Sequence, residues 1–148
     1  MPSNLTPPPL PEFEDEATLY SLSSEFLEAA TVLFNTPPTR VAYTLVTYFL
    51  AGHAAELMLK SFLFKHGDTI DVLAKRYGHD LKRLVKRARL KGLPDTESTE
   101  HIQGFARAYT GKRAEYRQKR HLRLPPLNLL LLEVKALQSH VFNHVADF

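Results

Sequence analysis

At 148 residues the chain is the size of one domain, long enough to bury an apolar core without covalent help. It contains no cysteine, which excludes thiol catalysis, thiolate metal sites and a disulfide framework and fits a reducing, cytoplasmic setting. The net charge of +3 hides a polarity: residues 1–59 hold seven acids against Arg40 alone, whereas 75–123 hold 15 bases against five acids, a surplus that attracts anionic partners, nucleic acid foremost.

Five of the first 11 residues are proline, which predicts a flexible Pro-rich tail over 1–14 ahead of a single domain over 15–148. No basic start precedes an apolar run, so no signal peptide is read. The longest uncharged run, Val41 to Ala55, has 15 residues, short of the roughly 18 that a membrane span requires, and no membrane is expected.

Helical periodicity begins at Asp15, with Leu19, Leu22, Phe26, Ala29 and Leu33 on one face, widened by Leu27, Ala30 and Phe34, and predicts a helix near 15–35. Thr36 followed by Pro37 and Pro38 reads as the cap and first turn of a second helix of about 30 residues ending at Gly67, apolar around most of its circumference and hence central. Asp68 or Thr69 caps a short helix through Ile70, Val72 and Leu73 that stops at Gly78. Leu81, Leu84, Val85 and Ala88 then form the stripe of a helix stopped by Gly92. A helix near 96–110 buries Ile102, Phe105, Ala106 and Tyr109. After the basic segment 112–123, Pro125 and Pro126 start a last helix with Leu127, Leu130, Val134, Leu137, Val141 and Val145 along its seam. No stretch alternates with period two, so the expectation is an all-α, mainly antiparallel bundle of about five or six helices. Leu45, Phe49, Leu57, Leu81, Leu84, Val134, Leu137 and Val141 are placed in its core.

Within the central helix, Glu56 and Lys60 stand four apart, acid first, among apolar residues, and read as a partly buried ion pair that fixes packing. His53 shares their face as a hydrogen-bonded core histidine. Asp80 suits the first turn of its helix, where His79 is read as a cap. These five are structural polar residues. His140 and His144, four apart, are read as a helix C-terminal stripe rather than a metal site; no metal and no cofactor is expected. Lys82, Arg83, Lys86, Arg87, Arg89, Lys119, Arg120 and Arg123 are the candidate nucleic-acid contacts.

Two segments, Ala54-Ala55-Glu56-Leu57-Met58-Leu59-Lys60 and Tyr77-Gly78-His79-Asp80-Leu81-Lys82-Arg83-Leu84, together resemble a HEPN domain, a likeness that covers roughly 15–147 with its flanking helices. The resemblance implies a HEPN-like bundle, a homodimer, and a setting in toxin–antitoxin or defence systems. Catalytic HEPN domains carry an Arg, four to six intervening residues and a His, and two copies form a metal-independent RNA-cleaving site. Here three residues separate Arg117 from His121 and seven separate Arg113 from His121, so the pattern is bracketed without being met. That departure favours a module binding RNA or another polyanion over an endoribonuclease using Arg113 or Arg117 with His121. A third reading is an interaction domain whose partner is a protein such as the small nucleotidyltransferases often encoded beside HEPN proteins.

Overall fold

The computed structural model describes residues 15–111 and 123–145, and these contain six α-helices and no strand. Helix α1, Glu16–Phe34, opens where the Asp15 carboxylate accepts the Thr18 N–H at 2.7 Å, satisfying one of the free amides of the first turn. Its buried residues are Leu19, Ser23, Leu27 and Ala30, which lie along the Leu27–Ala30 side of the expected stripe, and Leu22 is 39% exposed. Ser23 is tolerated there because its hydroxyl bonds the Tyr20 carbonyl of its own helix at 2.7 Å.

The second helix is shorter than the sequence pattern predicts. It runs Thr44–Lys65, 22 residues, and the stretch through Pro37 and Pro38 is a loop. A residue before proline is driven out of the helical region, and tandem prolines impose this on both Thr36 and Pro37, so the pair holds the chain extended instead of starting a turn. With the early turns missing, Val41 and Val46 are more than half exposed, and Leu45 leaves the expected core at 39% exposure. Phe49 is half-buried against the core, whereas the other six expected core residues are buried.

From Thr47 onward α2 is enclosed on nearly every side, by α1, α4, α5 and α6. It is antiparallel to α1: Ser61 near its end donates to the Glu16 carbonyl at 2.6 Å, while Thr44 and Thr47 at its start share a cleft with Leu33 and Phe34. Gly52 marks a close approach of α2 to the Phe105 and Tyr109 rings, since a Cβ there would stand 2.7 Å from the first and 2.9 Å from the second. At the far end Gly67 takes φ +104°, which a side chain would resist.

Thr69 caps the short α3, Ile70–Val72, whose chain continues into a π-turn over Leu73–Tyr77. The wider turn brings both Leu73 and Tyr77 into the core before Gly78 ends it at φ +51°. Helix α4, Leu81–Leu90, buries Leu81, Leu84, Val85 and Ala88 as its spacing predicts. Its cap is Asp80, which accepts the Arg83 N–H at 3.1 Å, and His79 is not used for that purpose. Helices α5, Glu100–Gly111, and α6, Leu127–Val145, complete the bundle, with the α6 seam of Leu130, Val134, Leu137, Val141 and Val145 buried as expected.

One detail of the α5–α6 contact escapes the apolar pattern. Glu133, buried within the α6 seam, accepts the Ile102 N–H and the Ser98 hydroxyl, each at 2.8 Å, and so caps α5 from a neighbouring helix. Buried apolar residues from all five longer helices join in one cluster, with Leu19 and Leu57 buried outside it.

Candidate functional site

Glu56 sits at mid-length on α2, where a carboxylate 2% exposed must find donors or forfeit its charge. It finds three. Lys60, one turn on, donates to Oε2 at 3.0 Å, while Oε1 receives the Tyr109 hydroxyl at 2.7 Å and His79 Nδ1 at 2.8 Å. The expected Glu56–Lys60 pair is therefore present, but as one arm of a cluster drawing on α2, on α5 and on the turn before α4. Burial works to raise the Glu56 pKa, and the bonds from Tyr109, His79 and Lys60 outweigh it, leaving the group below its ordinary value and ionised. Tyr109 is pushed far up by burial and by the adjacent Glu56 charge, so its hydroxyl stays protonated.

His53 completes the cluster. Its Nδ1 lies 2.8 Å from the Tyr109 hydroxyl oxygen and 3.8 Å from Glu56 Oε1, and its ring packs edge-on against Phe26 with centroids 4.4 Å apart. Burial lowers its pKa, with smaller contributions from Glu56 in the opposite sense and from His79 and Lys60 in the same sense. The sequence placed His53, Glu56 and Lys60 on one face. It left Tyr109 among the core and edge aromatics, because nothing in local spacing links residues 53 positions apart. The available signal was chemical: a buried tyrosine hydroxyl requires a partner.

The basic residues of α4 divide into two groups. Lys82, Arg83 and Lys86 are exposed, and with Arg76, Tyr77, Arg87 and Leu90 the latter two line an open depression of about 410 Å³ with no carboxylate in its walls among the described residues. The Arg83 guanidinium lies 6.0 Å from the centre of the Tyr77 ring. Arg87 and Arg89 are committed within the fold. Arg87 grips the buried Asp68 carboxylate through Nε and Nη2 at 3.2 and 3.0 Å, a forked bond that raises its pKa further. Arg89 donates to the carbonyls of Pro94 and Glu97 and to the Thr99 hydroxyl, which secures the loop ahead of α5. Arg123 is exposed. Arg113, Arg117, Lys119, Arg120 and His121 lie outside the described residues.

The His140 and His144 rings meet at a tilt of 34° with centroids 4.5 Å apart, near His66. His144 Nδ1 bonds the His140 carbonyl at 3.1 Å, and buried His140 Nε2 has no hydrogen-bond partner among the described residues. Among the described residues no group of three or more histidines or acids is arranged to hold a metal ion, and no helix is long and apolar enough to cross a membrane. Compared with known proteins, the chain matches no family model, no curated protein and no solved structure.

Proposed function

We propose that the chain is a HEPN-like module that binds RNA through the basic face of α4. The observation that carries this reading is the depression walled by Arg76, Tyr77, Arg83 and Lys86, where cations and an aromatic ring adjoin with no carboxylate in the lining among the described residues. Phosphates would contact the Lys and Arg side chains, releasing condensed counterions, and Tyr77 offers only an edge, since it is 8% exposed. Contacts of this kind position a backbone without reading sequence. The surplus of bases over 75–123 supports the same choice of ligand.

Anisotropy of a labelled single-stranded RNA tests the proposal. Binding should weaken steeply as salt rises, and Lys82→Ala/Arg83→Ala/Lys86→Ala should weaken it similarly for unrelated sequences. Absence of binding at low salt, or binding indifferent to the triple change, would overturn it.

A homodimer accords with the apolar side chains left in solvent at the α1–α2 junction, where Val32, Phe34, Val41 and Val46 are each more than 40% exposed. Sedimentation of the wild type against Val41→Lys/Val46→Lys tests that arrangement, which predicts a dimer in the first and a monomer in the second.

A further inference from the structure

Arg83, Lys86, Arg87 and Leu90 recur at the three- and four-residue spacing that sets side chains on one face of a helix, so they form a single stripe of α4. The chain turns at Gly78, with φ +51°, and Arg76 and Tyr77 from the preceding π-turn line the same hollow as that stripe. Its charges are not equivalent. Arg87 is gripped by the buried Asp68 carboxylate and brings no net charge. Arg76, Arg83 and Lys86 are exposed and make no ion pair among the described residues, so three cations face one hollow, and Lys82 stands outside it.

Tyr77 supplies a second, independent observation. Three tyrosines are buried to nearly the same degree, Tyr48 at 7% exposure and Tyr77 and Tyr109 at 8%. The hydroxyls of Tyr48 and Tyr109 donate to the Pro125 carbonyl and the Glu56 carboxylate, whereas that of Tyr77 has no hydrogen-bond partner among the described residues. A hydroxyl so enclosed calls for an acceptor, and the depression that Tyr77 lines is where one can enter. An internal phosphodiester offers one charge and two non-bridging oxygens, too few to engage three cations and a hydroxyl together. A phosphate monoester carries nearly two charges at neutral pH and three strong acceptor oxygens.

We propose that the depression seats a terminal phosphate monoester, so that the α4 face engages RNA by a phosphorylated end, with Arg76, Arg83 and Lys86 binding the phosphate oxygens and the Tyr77 hydroxyl donating to one of them. This deepens, and rests on, the RNA-binding reading above. The site reads the end of a strand by its charge and oxygen count, and not the bases beside it.

The test is anisotropy on the full chain with one internally labelled RNA sequence in four forms: 5′-phosphate, 3′-phosphate, hydroxyls at both ends, and the phosphate methylated to a diester. A strand with a phosphate at one end or the other should bind at least about tenfold more tightly than the hydroxyl-ended strand, and methylation should forfeit most of that gain. Tyr77→Phe, which keeps the buried ring, should reduce the preference by about threefold or more. Arg76→Ala/Arg83→Ala, at two exposed positions, should abolish it with circular dichroism unchanged. Equal affinity for all four strands would overturn the terminal-phosphate site while sparing the RNA-binding reading, and no binding of any strand at low salt would overturn both. A preference that survives both variants would place the strand end elsewhere on the molecule and likewise overturn the site.

Discussion

The hydroxyl of Tyr109 donates to the Glu56 carboxylate at 2.7 Å, fastening α5 to the middle of α2 across 53 residues of chain. Removing that hydroxyl with Tyr109→Phe leaves a buried carboxylate one donor short and takes away the hydrogen-bond partner of His53 Nδ1. Urea denaturation should register a loss of about 1–3 kcal/mol. Glu56→Ala, which strands Lys60 and Tyr109 as well, should cost about 3–5 kcal/mol. A Tyr109→Phe protein as stable as the parent would show the bond to be energetically idle.

Acid should destabilise the fold in two stages. His53 has its pKa lowered from the ordinary 6.5 and Glu56 from 4.5, so the unfolded chain binds more protons than the folded one below each of those values. Their contribution is complete above pH 6.5 and is lost as pH falls, first through the His53 titration and then through that of Glu56. His140, lowered by burial and by His144 against the opposing Glu97, adds to the first stage. Tyr109 acts oppositely: its pKa is raised from 10.0, so its contribution is present below that pH and lost above it. Thermal melts across pH should give a plateau bounded on both sides, and a midpoint insensitive to acid between 6.5 and 4.5 would contradict the assignment.

Gly52→Ala should be harmful although alanine is the better helix former. The added methyl would meet the Phe105 ring at 2.7 Å, and the helices must separate to admit it. A loss of about 1–3 kcal/mol is expected from chemical denaturation. A stabilised variant would mean that α2 and α5 do not approach this closely.

Leu84→Ala and Leu137→Ala remove fully buried side chains and should each cost about 2–5 kcal/mol. Leu45→Ala, at a position 39% exposed, should cost well under about 1 kcal/mol. Equal losses at Leu45 and Leu84 would argue that α2 begins earlier than Thr44.

The apolar spacing of α4 named its buried face residue by residue; that of α6 named Leu130, Val134, Leu137, Val141 and Val145 but missed the buried Leu131 and Glu133 and counted Leu127, which is half-buried. The same reasoning erred where neighbours decide. Of the broad stripe expected on α1, Leu19, Leu27 and Ala30 are buried and Leu22 is not, because which edge of a wide stripe turns inward is set by the neighbouring helices and not by local spacing. Pro37 and Pro38 were legible as punctuation, but whether they open a helix or hold a loop depends on the pre-proline restriction acting twice in succession. In the candidate site, Glu56, Lys60 and His53 were visible through local spacing. Their links to His79 and Tyr109 cross between helices, and no periodicity within one helix encodes them.

The cap that Glu133 places on α5 also bears on the order in which the molecule opens. The Ile102 amide has its acceptor on α6, not on residues near it in sequence, so the first turn of α5 is complete only while α6 is docked. Hydrogen exchange should reflect this coupling: the amide of Ile102 should share the opening free energy of the Leu130–Val141 amides, and Glu133→Ala should release it without equally releasing α2. A carboxylate on one helix thus joins two helices into a single opening unit, which makes the α5–α6 pair, including Tyr109 and its hold on Glu56, the part of the bundle that detaches together.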